Sequence, residues 1–389
     1  MKFSRRLPGS LQANRLNEEI ERLRRCGSEI IDLTESNPTQ AGFYYPEAEI
    51  LQALGNPLAL SYEPSARGLP TACEAVAALH GVPPGSVILT ASTSEAYSFL
   101  FKLLADAGDE VLVPRPSYPL FDFLAALDSV RAVPYDLEYQ DGWSFDAAAL
   151  EHRVTAKTRA VIVVNPNNPT GSFVKDTERD ALLGVCERHG LAILSDEVFA
   201  PYPFAADLHR VATMAGPSPV LTFVLSGLSK LCGLPQMKLG WIVAGGPKAL
   251  AGEALHRLEL MADMFLSVNT PVQHALPELF ELAGQVTAQI RARTRSNLET
   301  LQRLTADSPA HVLNVEGGWY ATLQVPRIRS EEDWALELLS RHSVLVQPGY
   351  FYDFQREAFL ILSLLTRPAV FEEGVRRLVS GLLHASTPR

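Results

Sequence analysis

Lys230 stands in the run Ser226-Gly-Leu-Ser-Lys-Leu-Cys-Gly-Leu-Pro-Gln-Met-Lys238-Leu-Gly-Trp241, directly after an apolar stretch of strand length. A lysine among small residues at the exit of a buried strand can be desolvated, which lowers its pKa. A neutral amine is what a Schiff-base nucleophile requires. Standing alone, the same residue would read as an ordinary lysine on a surface loop. Its neighbours Ser226 and Ser229 offer hydroxyls, and Lys238 offers a second charge. Other polar groups occupy comparable places. Asp196, in Ser195-Asp-Glu197, follows another apolar run and suits either a cationic partner or a helix N-cap. Ser92, Thr93 and Ser94 precede a helical pattern, where hydroxyls and free N–H groups cap the helix or cradle a phosphate. Tyr118 and Asn168 lie in Pro-rich turns after two further apolar runs.

The elements that must position these groups follow from periodicity. Apolar runs at 87–90, 110–113, 160–164, 191–194 and 220–225 alternate with helical stretches such as 95–104. Continuous apolar strands separated by helices predict an α/β fold: a mostly parallel sheet covered by helices on both faces. In such sheets ligands bind at the carboxyl ends of the strands, where these polar groups fall. After about residue 275 the pattern changes to a long helical stretch at 285–304, short strands near Val312, at 320–325 and at 359–364, and a helix at 371–383. The expected organisation is a large domain over 41–275 and a smaller α+β domain made of 1–40 and 276–389. An amphipathic helix at about 11–24 should pack on the smaller domain.

Composition narrows the function. The chain has 389 residues, 47% hydrophobic and 20% charged, which is globular, and a net charge of −10. An acidic chain with no long basic run is a poor ligand for nucleic acid or an anionic membrane, so neither is expected as a partner. The longest uncharged run, 211–229, is broken by Gly216-Pro-Ser-Pro219 and is not a membrane span. Cys26, Cys73, Cys186 and Cys232 form no CxxC pair, so neither a disulfide framework nor a metal site is expected. With no apolar leader at the start, the expected compartment is the cytoplasm. No GxGxxG, P-loop, HExxH or GxSxG motif supports another chemistry.

Together the segments resemble the class I and II aminotransferases, the fold type I pyridoxal-phosphate enzymes. The Lys230 run is similar to that family's active-site lysine signature. Five further pieces follow in the family's order: Ile31-Asp-Leu-Thr-Glu-Ser-Asn-Pro38, Tyr62-Glu-Pro-Ser-Ala-Arg-Gly68, Thr90-Ala-Ser-Thr-Ser-Glu-Ala96, Asn165 to Gly171, and Ser195-Asp-Glu-Val-Phe199. The resemblance implies pyridoxal 5'-phosphate as cofactor, a homodimer with sites at the subunit interface, and exchange of an amino group between an amino acid and a 2-oxo acid. It implies that Lys230 holds the cofactor as a Schiff base and shuttles a proton, and that Asp196 pairs with the pyridine nitrogen. Ser92, Thr93, Ser94, Ser226, Ser229, Lys238 and a neighbouring subunit's Tyr62 would hold the phosphate. Tyr118 would stack on the ring, and Asn168 would meet its phenolic oxygen. Ser36, Asn37, Trp319 and Arg367 would contact substrate.

The chain departs from the pattern in three places. Lys238 replaces an arginine, keeping the charge but losing bidentate geometry. Phe199 stands where a tyrosine is usual, and Tyr202 could supply that hydroxyl only if its loop bends back. Ile361 stands where the family carries the arginine that grips a substrate carboxylate. Arg367 either curls back to serve or is a solvated loop residue. An aromatic rim of Tyr44, Tyr45, Trp319, Tyr350 and Phe351 is expected around the pocket, favouring an apolar or aromatic donor. The alternative is another reaction on the same scaffold: a decarboxylase, a C–S or other β-lyase, or a racemase. A transcriptional regulator that uses the cofactor as a ligand is disfavoured, because the resemblance begins near residue 30 and the chain is acidic.

Overall fold

The computed structural model describes residues 14–386 together with Ser4, Arg6 and Leu7. Strand β1 (Ile31–Asp32) is followed by the eight strands of a central sheet: β2 (Val87–Thr90), β3 (Glu110–Arg115), β4 (Arg131–Tyr139), β5 (Trp143–Phe145), β6 (Thr158–Val164), β7 (Ala192–Asp196), β8 (Thr222–Gly227) and β9 (Gly240–Gly245). Then come β10 (His311–Val312), β11 (Tyr320–Gln324), β12 (Val344–Leu345), β13 (Gln347–Pro348) and β14 (Phe359–Ser363). The central order is β2-β9-β8-β7-β6-β3-β4-β5. The β4–β3–β6–β7–β8 run is parallel, while β9 and β5 pair antiparallel. This is the mostly parallel α/β sheet expected.

Its apolar runs are unbroken because both faces are covered. Leu89, Leu112, Val161 and Val224 point into one buried cluster, and their neighbours Ile88, Val111, Ile162 and Phe223 into another. The helix Thr93–Leu104 covers the second face and begins on a cap: Ser92 Oγ accepts from Glu95 N–H at 3.2 Å, and Glu95 Oε2 accepts from Ala91 N–H at 2.6 Å.

The second sheet, β10-β11-β14-β13, is antiparallel. On one face Leu323, Leu360 and Leu362 pack with Trp334, Leu338 and Phe371 from the helices Glu331–His342 and Pro368–Ser386. Strand periodicity therefore puts Tyr320, Thr322 and Gln324 of β11, and Phe359, Ile361 and Ser363 of β14, on the opposite face. The helix Arg15–Arg25 joins this layer through Leu16 and Leu23, as its pattern predicts. Residues 11–13, where it was expected to start, lie outside the described residues.

β1 pairs with β12, and Ser363 N–H donates to Leu33 C=O at 2.7 Å, so residues 31–35 are tied to this second layer. One helix, Thr270–Thr305, links the two layers. Val272 and Leu276 pack in the central-sheet cluster, Val286 and Ile290 in a middle cluster with Trp319, and Leu298 and Leu301 in the second layer. Its expected start at 285 is fifteen residues late: the helix runs through Pro277 and Gly284, and packing on both layers holds its earlier turns.

Candidate active site

The exits of three neighbouring strands converge. β8 ends at Gly227 and turns at once into the short helix Leu228–Leu231, which carries Lys230. The turn is tight: a Cβ on Gly227 would lie 2.9 Å from Leu239 C=O, so only glycine fits. Lys230 Nζ sits 4.8 Å from the Trp319 ring centroid and 5.5 Å from that of Phe199. Burial pushes its pKa down to about 8, against the nearby Asp196 charge, which pulls it up. The main chain is pinned as well, since Tyr202 Oη donates to Lys230 C=O at 2.6 Å. Tyr202 is fully buried and its hydroxyl proton is spent there, so its loop does not offer the hydroxyl that Phe199 lacks.

Asp196 closes β7 and is buried. Its carboxylate accepts from Tyr97 Oη at 3.0 Å and from Val198 N–H at 3.2 Å. Burial raises its pKa to about 6, while those hydrogen bonds and the Lys230 charge act the other way. Tyr97 itself is held well above the usual phenol range, by burial and by the Asp196 charge, so it stays a donor. Glu197 faces away and braces the turn, accepting from Ser195 Oγ at 2.9 Å and Met214 N–H at 2.7 Å.

The loop after β6 commits two of its three asparagines to its own shape. Asn165 Nδ2 donates to Val211 C=O, and Asn167 Nδ2 donates to Pro116 C=O. Asn168 is buried, and its side-chain oxygen has no partner among the described residues. Tyr118, half-buried, lies edge-on to Phe121 with its phenol pKa raised by burial and by the Asp196 charge. Its loop is fixed by Ser117 Oγ, which donates to Asn167 Oδ1 at 2.7 Å.

The opposite end of the cleft suits an anion. A Cβ on Gly240 would lie 3.1 Å from Ser226 C=O and 3.2 Å from Thr93 N, so β8, β9 and the start of the helix Thr93–Leu104 close on one another. The first N–H groups of a helix lack intrahelical partners, which leaves Thr93 and Ser94 at an open, electropositive end. Ser226 is buried and Ser229 half-buried beside it. Lys238, in a left-handed conformation at φ 53°, is exposed and has no ion pair among the described residues.

The remaining expected residues are spread more widely. Trp319 is fully buried and its Nε1–H has no partner among the described residues. Ser36 is exposed and hydrogen-bonds the Tyr320 phenol. Asn37 is exposed, and its Oδ1 accepts from Thr39 N–H and Oγ1. Arg367 is exposed and lies along Gly42, where a Cβ would stand 2.7 Å from its Nε, with the Arg293 charge nearby. Tyr62 is 80% exposed, beside Leu266 and Thr270. Of the expected aromatic rim only Trp319 lies against Lys230. Tyr44 is exposed, Tyr45 donates to Gly233 C=O, and Tyr350 and Phe351 pack on each other. Sequence reasoning missed Tyr97, Tyr320 and Tyr352. Tyr320 bridges from Phe199 to Tyr352, with ring centroids 6.2 and 6.5 Å away.

The residues present fit pyridoxal phosphate: a lysine near neutrality, a buried carboxylate, a buried Asn168 amide at a strand exit, and a glycine-lined anion cradle. A parallel α/β sheet with this set at its strand exits defines a fold type I pyridoxal-phosphate-dependent enzyme. The sequence profile described as "Aminotransferase class I and II" matches residues 28–378, and the chain belongs to that family. It is 27% identical over 381 residues to the glutamate-pyruvate aminotransferase AlaA of Haemophilus influenzae, covering 93% of each chain. It is 29% identical over 387 residues to the alanine aminotransferase of Mycobacterium tuberculosis, covering 93% of this chain and 88% of that one. A crystal structure of an aminotransferase from Escherichia coli superposes with a TM-score of 0.87 at 26% identity, covering 98% of both chains. The protein is a pyridoxal-phosphate-dependent aminotransferase acting on an amino acid and a 2-oxo acid. No helix among the described residues is long and apolar enough to cross a membrane.

Proposed function

We propose that this enzyme moves an amino group from a small apolar or aromatic amino acid to a 2-oxo acid, with Lys230 and Asp196 as its catalytic residues. The observation that carries this is the Lys230 amine, held near pH 8 by burial between Trp319 and Phe199 within the field of Asp196. When bound, pyridoxal phosphate supplies an aldehyde carbon and an electron-accepting ring. Lys230 holds that carbon covalently and, once released by the substrate amine, moves the proton at the substrate Cα. Asp196, oriented by Tyr97, carries the negative charge that keeps the ring nitrogen protonated. Tyr118 and Asn168 orient the ring. Thr93, Ser94, Ser226, Ser229 and Lys238 hold the phosphate, with Ser92 capping the helix they use. Trp319, Ser36 and Asn37 face the substrate, whereas Arg367, exposed along Gly42, belongs to the loop outside the pocket. The names of the relatives, alanine and glutamate-pyruvate aminotransferase, support a small donor.

The assembly proposed is a homodimer. Tyr62, Leu58, Met264 and Phe265 are each more than half exposed in one chain, and exposed apolar surface of that kind marks an interface. Tyr62 would cross it to the partner's phosphate. A cytoplasmic location is supported by four free cysteines, three of them buried.

The test is spectroscopic. The purified protein should carry a visible cofactor band that one L-amino acid bleaches and a 2-oxo acid restores. A band that no amino acid bleaches would refute the transfer reading. Ile361 on the substrate-facing strand keeps one alternative open, a lyase, decarboxylase or racemase. Consumption of an amino acid that leaves the visible band in place would select it, because none of those reactions leaves the amino group on the cofactor.

A further inference from the structure

The face of the second sheet that looks toward Lys230 carries no charge. Tyr320 fixes its orientation, since its ring approaches Phe199, which in turn lies under Lys230. Two residues along, Thr322 of β11 is paired in register with Ile361 of β14, and Ile361 with Gln347 of β13. Thr322 is fully buried, and its hydroxyl has no partner among the described residues. Tyr352, also buried, comes in from the turn Gly349–Tyr352 and donates its hydroxyl to Gln347 Oε1. Its carbonyl accepts from Ser117 N–H at 3.0 Å, which docks this wall on the Tyr118 loop.

The arginines nearest this wall are engaged elsewhere or lie outside it. Arg367 is exposed in the loop beyond Ser363 and lies along Gly42, where a Cβ would stand 2.7 Å from its Nε. Arg293 donates to Ala41 and Leu365 carbonyls and lies over the Phe43 ring at 4.7 Å. Arg115 pairs with Asp136 at 2.7 Å. Arg327 and Arg356 are exposed at a separate cleft of about 410 Å³, which starts at the Gln324–Phe359 pair, beyond Thr322 and Ile361. A buried carboxylate needs a counter-charge or a full set of hydrogen bonds, whereas a neutral polar group needs only the latter.

We propose that Tyr320, Thr322, Gln347 and Tyr352, arranged around Ile361, form a neutral hydrogen-bonding subsite for the group that an amino acid carries as its α-carboxylate, and that it takes an uncharged group there at least as well. The substrate class this implies is α-amino-acid amides and amino alcohols alongside free amino acids. The inference rests on the amino-transfer reading of the Lys230 pocket.

The experiment uses the holoenzyme and two unreactive probes, 2-methylalanine and its carboxamide, neither of which has a proton on Cα to lose. Binding is read from the change in the visible absorption of the bound cofactor. The amide should bind as tightly as the acid or more tightly, where an arginine fork would favour the acid by several hundredfold. Gln347→Glu keeps an acceptor for Tyr352 and adds a charge, so it should weaken the acid about tenfold or more and leave the amide within about twofold. Ile361→Arg, if it folds, should move the ratio about a hundredfold toward the acid. A wild-type enzyme that binds the acid a hundredfold more tightly than the amide overturns the subsite and leaves the amino-transfer reading standing. An absorption spectrum that responds to neither probe, nor to any amine, overturns both.

Discussion

The floor of the site, at the exits of β6, β7 and β8, and its wall, on β11, β13 and β14, both bury polar groups, yet they treat charge in opposite ways. On the floor, buried Asp196 and half-buried Lys230 lie within each other's field, and each is pushed by desolvation toward its neutral form, to about 6 and about 8. The wall buries Thr322, Tyr352 and Ile361 and has no ionised partner. A buried charge costs several kcal/mol unless it is paired. The protein therefore concentrates that cost where bond-making needs it, and leaves recognition to neutral groups.

The largest effect should come from removing the floor's nucleophile. Lys230→Ala should lower turnover at least about a thousandfold and leave a cofactor that gel filtration in denaturant strips off. Because Lys230 lies on the floor and the wall's polar groups stay in place, the amide-to-acid ratio should change far less than it does for Gln347→Glu. A ratio changed as much as that would show that Lys230, not the wall, sets specificity, and the contrast between the two regions would break.

Asp196→Asn comes next, with turnover falling about a hundredfold or more. Its effect on stability has the opposite sign. The folded pKa of Asp196 is raised from 3.8 to about 6, so the folded state binds more protons than the unfolded state between those values. Its stabilising contribution is complete below pH 3.8 and is lost as pH rises through about 6. At pH 7 the buried carboxylate costs roughly 1–3 kcal/mol, and the cofactor-free Asn variant should melt higher than wild type. The same substitution removes the charge that pulls Lys230 upward, so the midpoint of lysine reactivity should fall below about 8. Measuring amine labelling against pH checks the direction, and a rise would contradict the proposed coupling.

Tyr97→Phe probes how the floor is held rather than what it contains. The tyrosine donates to Asp196 at 3.0 Å and lowers the carboxyl pKa. Its loss should raise that pKa further and reduce turnover about tenfold, in proportion to one hydrogen bond to a charged group. The acidic limb of the pH–rate profile should move up. An unmoved limb with slower turnover would mean that Tyr97 acts only through packing.

These two regions were also unequally legible in the sequence. The floor announces itself, because a parallel strand covered on both faces is apolar along its length, and each run stops where a polar residue is placed: Asp196 at the end of β7, Lys230 just past β8, Asn168 past β6. The wall does not. β14 reads Phe-Leu-Ile-Leu-Ser, apolar on both faces, so nothing local says that Ile361 faces the cleft while Leu360 faces the core. β11 held a usable signal, since Tyr320, Thr322 and Gln324 alternate with Ala321 and Leu323. Tyr352 gave none, for its place depends on a turn clamped by buried Glu331, whose carboxylate accepts from Tyr350 N–H at 2.7 Å and Phe359 N–H at 2.8 Å. Tyr97 could have been found by helical periodicity, one turn beyond Thr93 on the buried side of its helix.

The smallest effect is expected at Phe199, where floor meets wall. Its ring lies 5.5 Å from Lys230 Nζ, edge-on to Trp319 at 5.3 Å and to Tyr320 at 6.2 Å. Tyr202, three residues on, cannot stand in for a hydroxyl here because it is bound to the Lys230 carbonyl. Phe199→Tyr would bring a polar group into a cluster that already contains the unpartnered Trp319 Nε1–H, so the added hydroxyl has a donor within its cluster. A hydroxyl facing the cofactor's phenolic oxygen stabilises that oxygen's ionised form. The pH at which the visible band changes should therefore fall, by up to about one unit, or about 1.4 kcal/mol. Turnover should change less than about threefold. A fall with unaltered probe selectivity would place Phe199 with the floor. A change in the amide-to-acid ratio would instead place it with the wall, as an extension of Tyr320, and no change in the band together with lower melting would reduce it to packing.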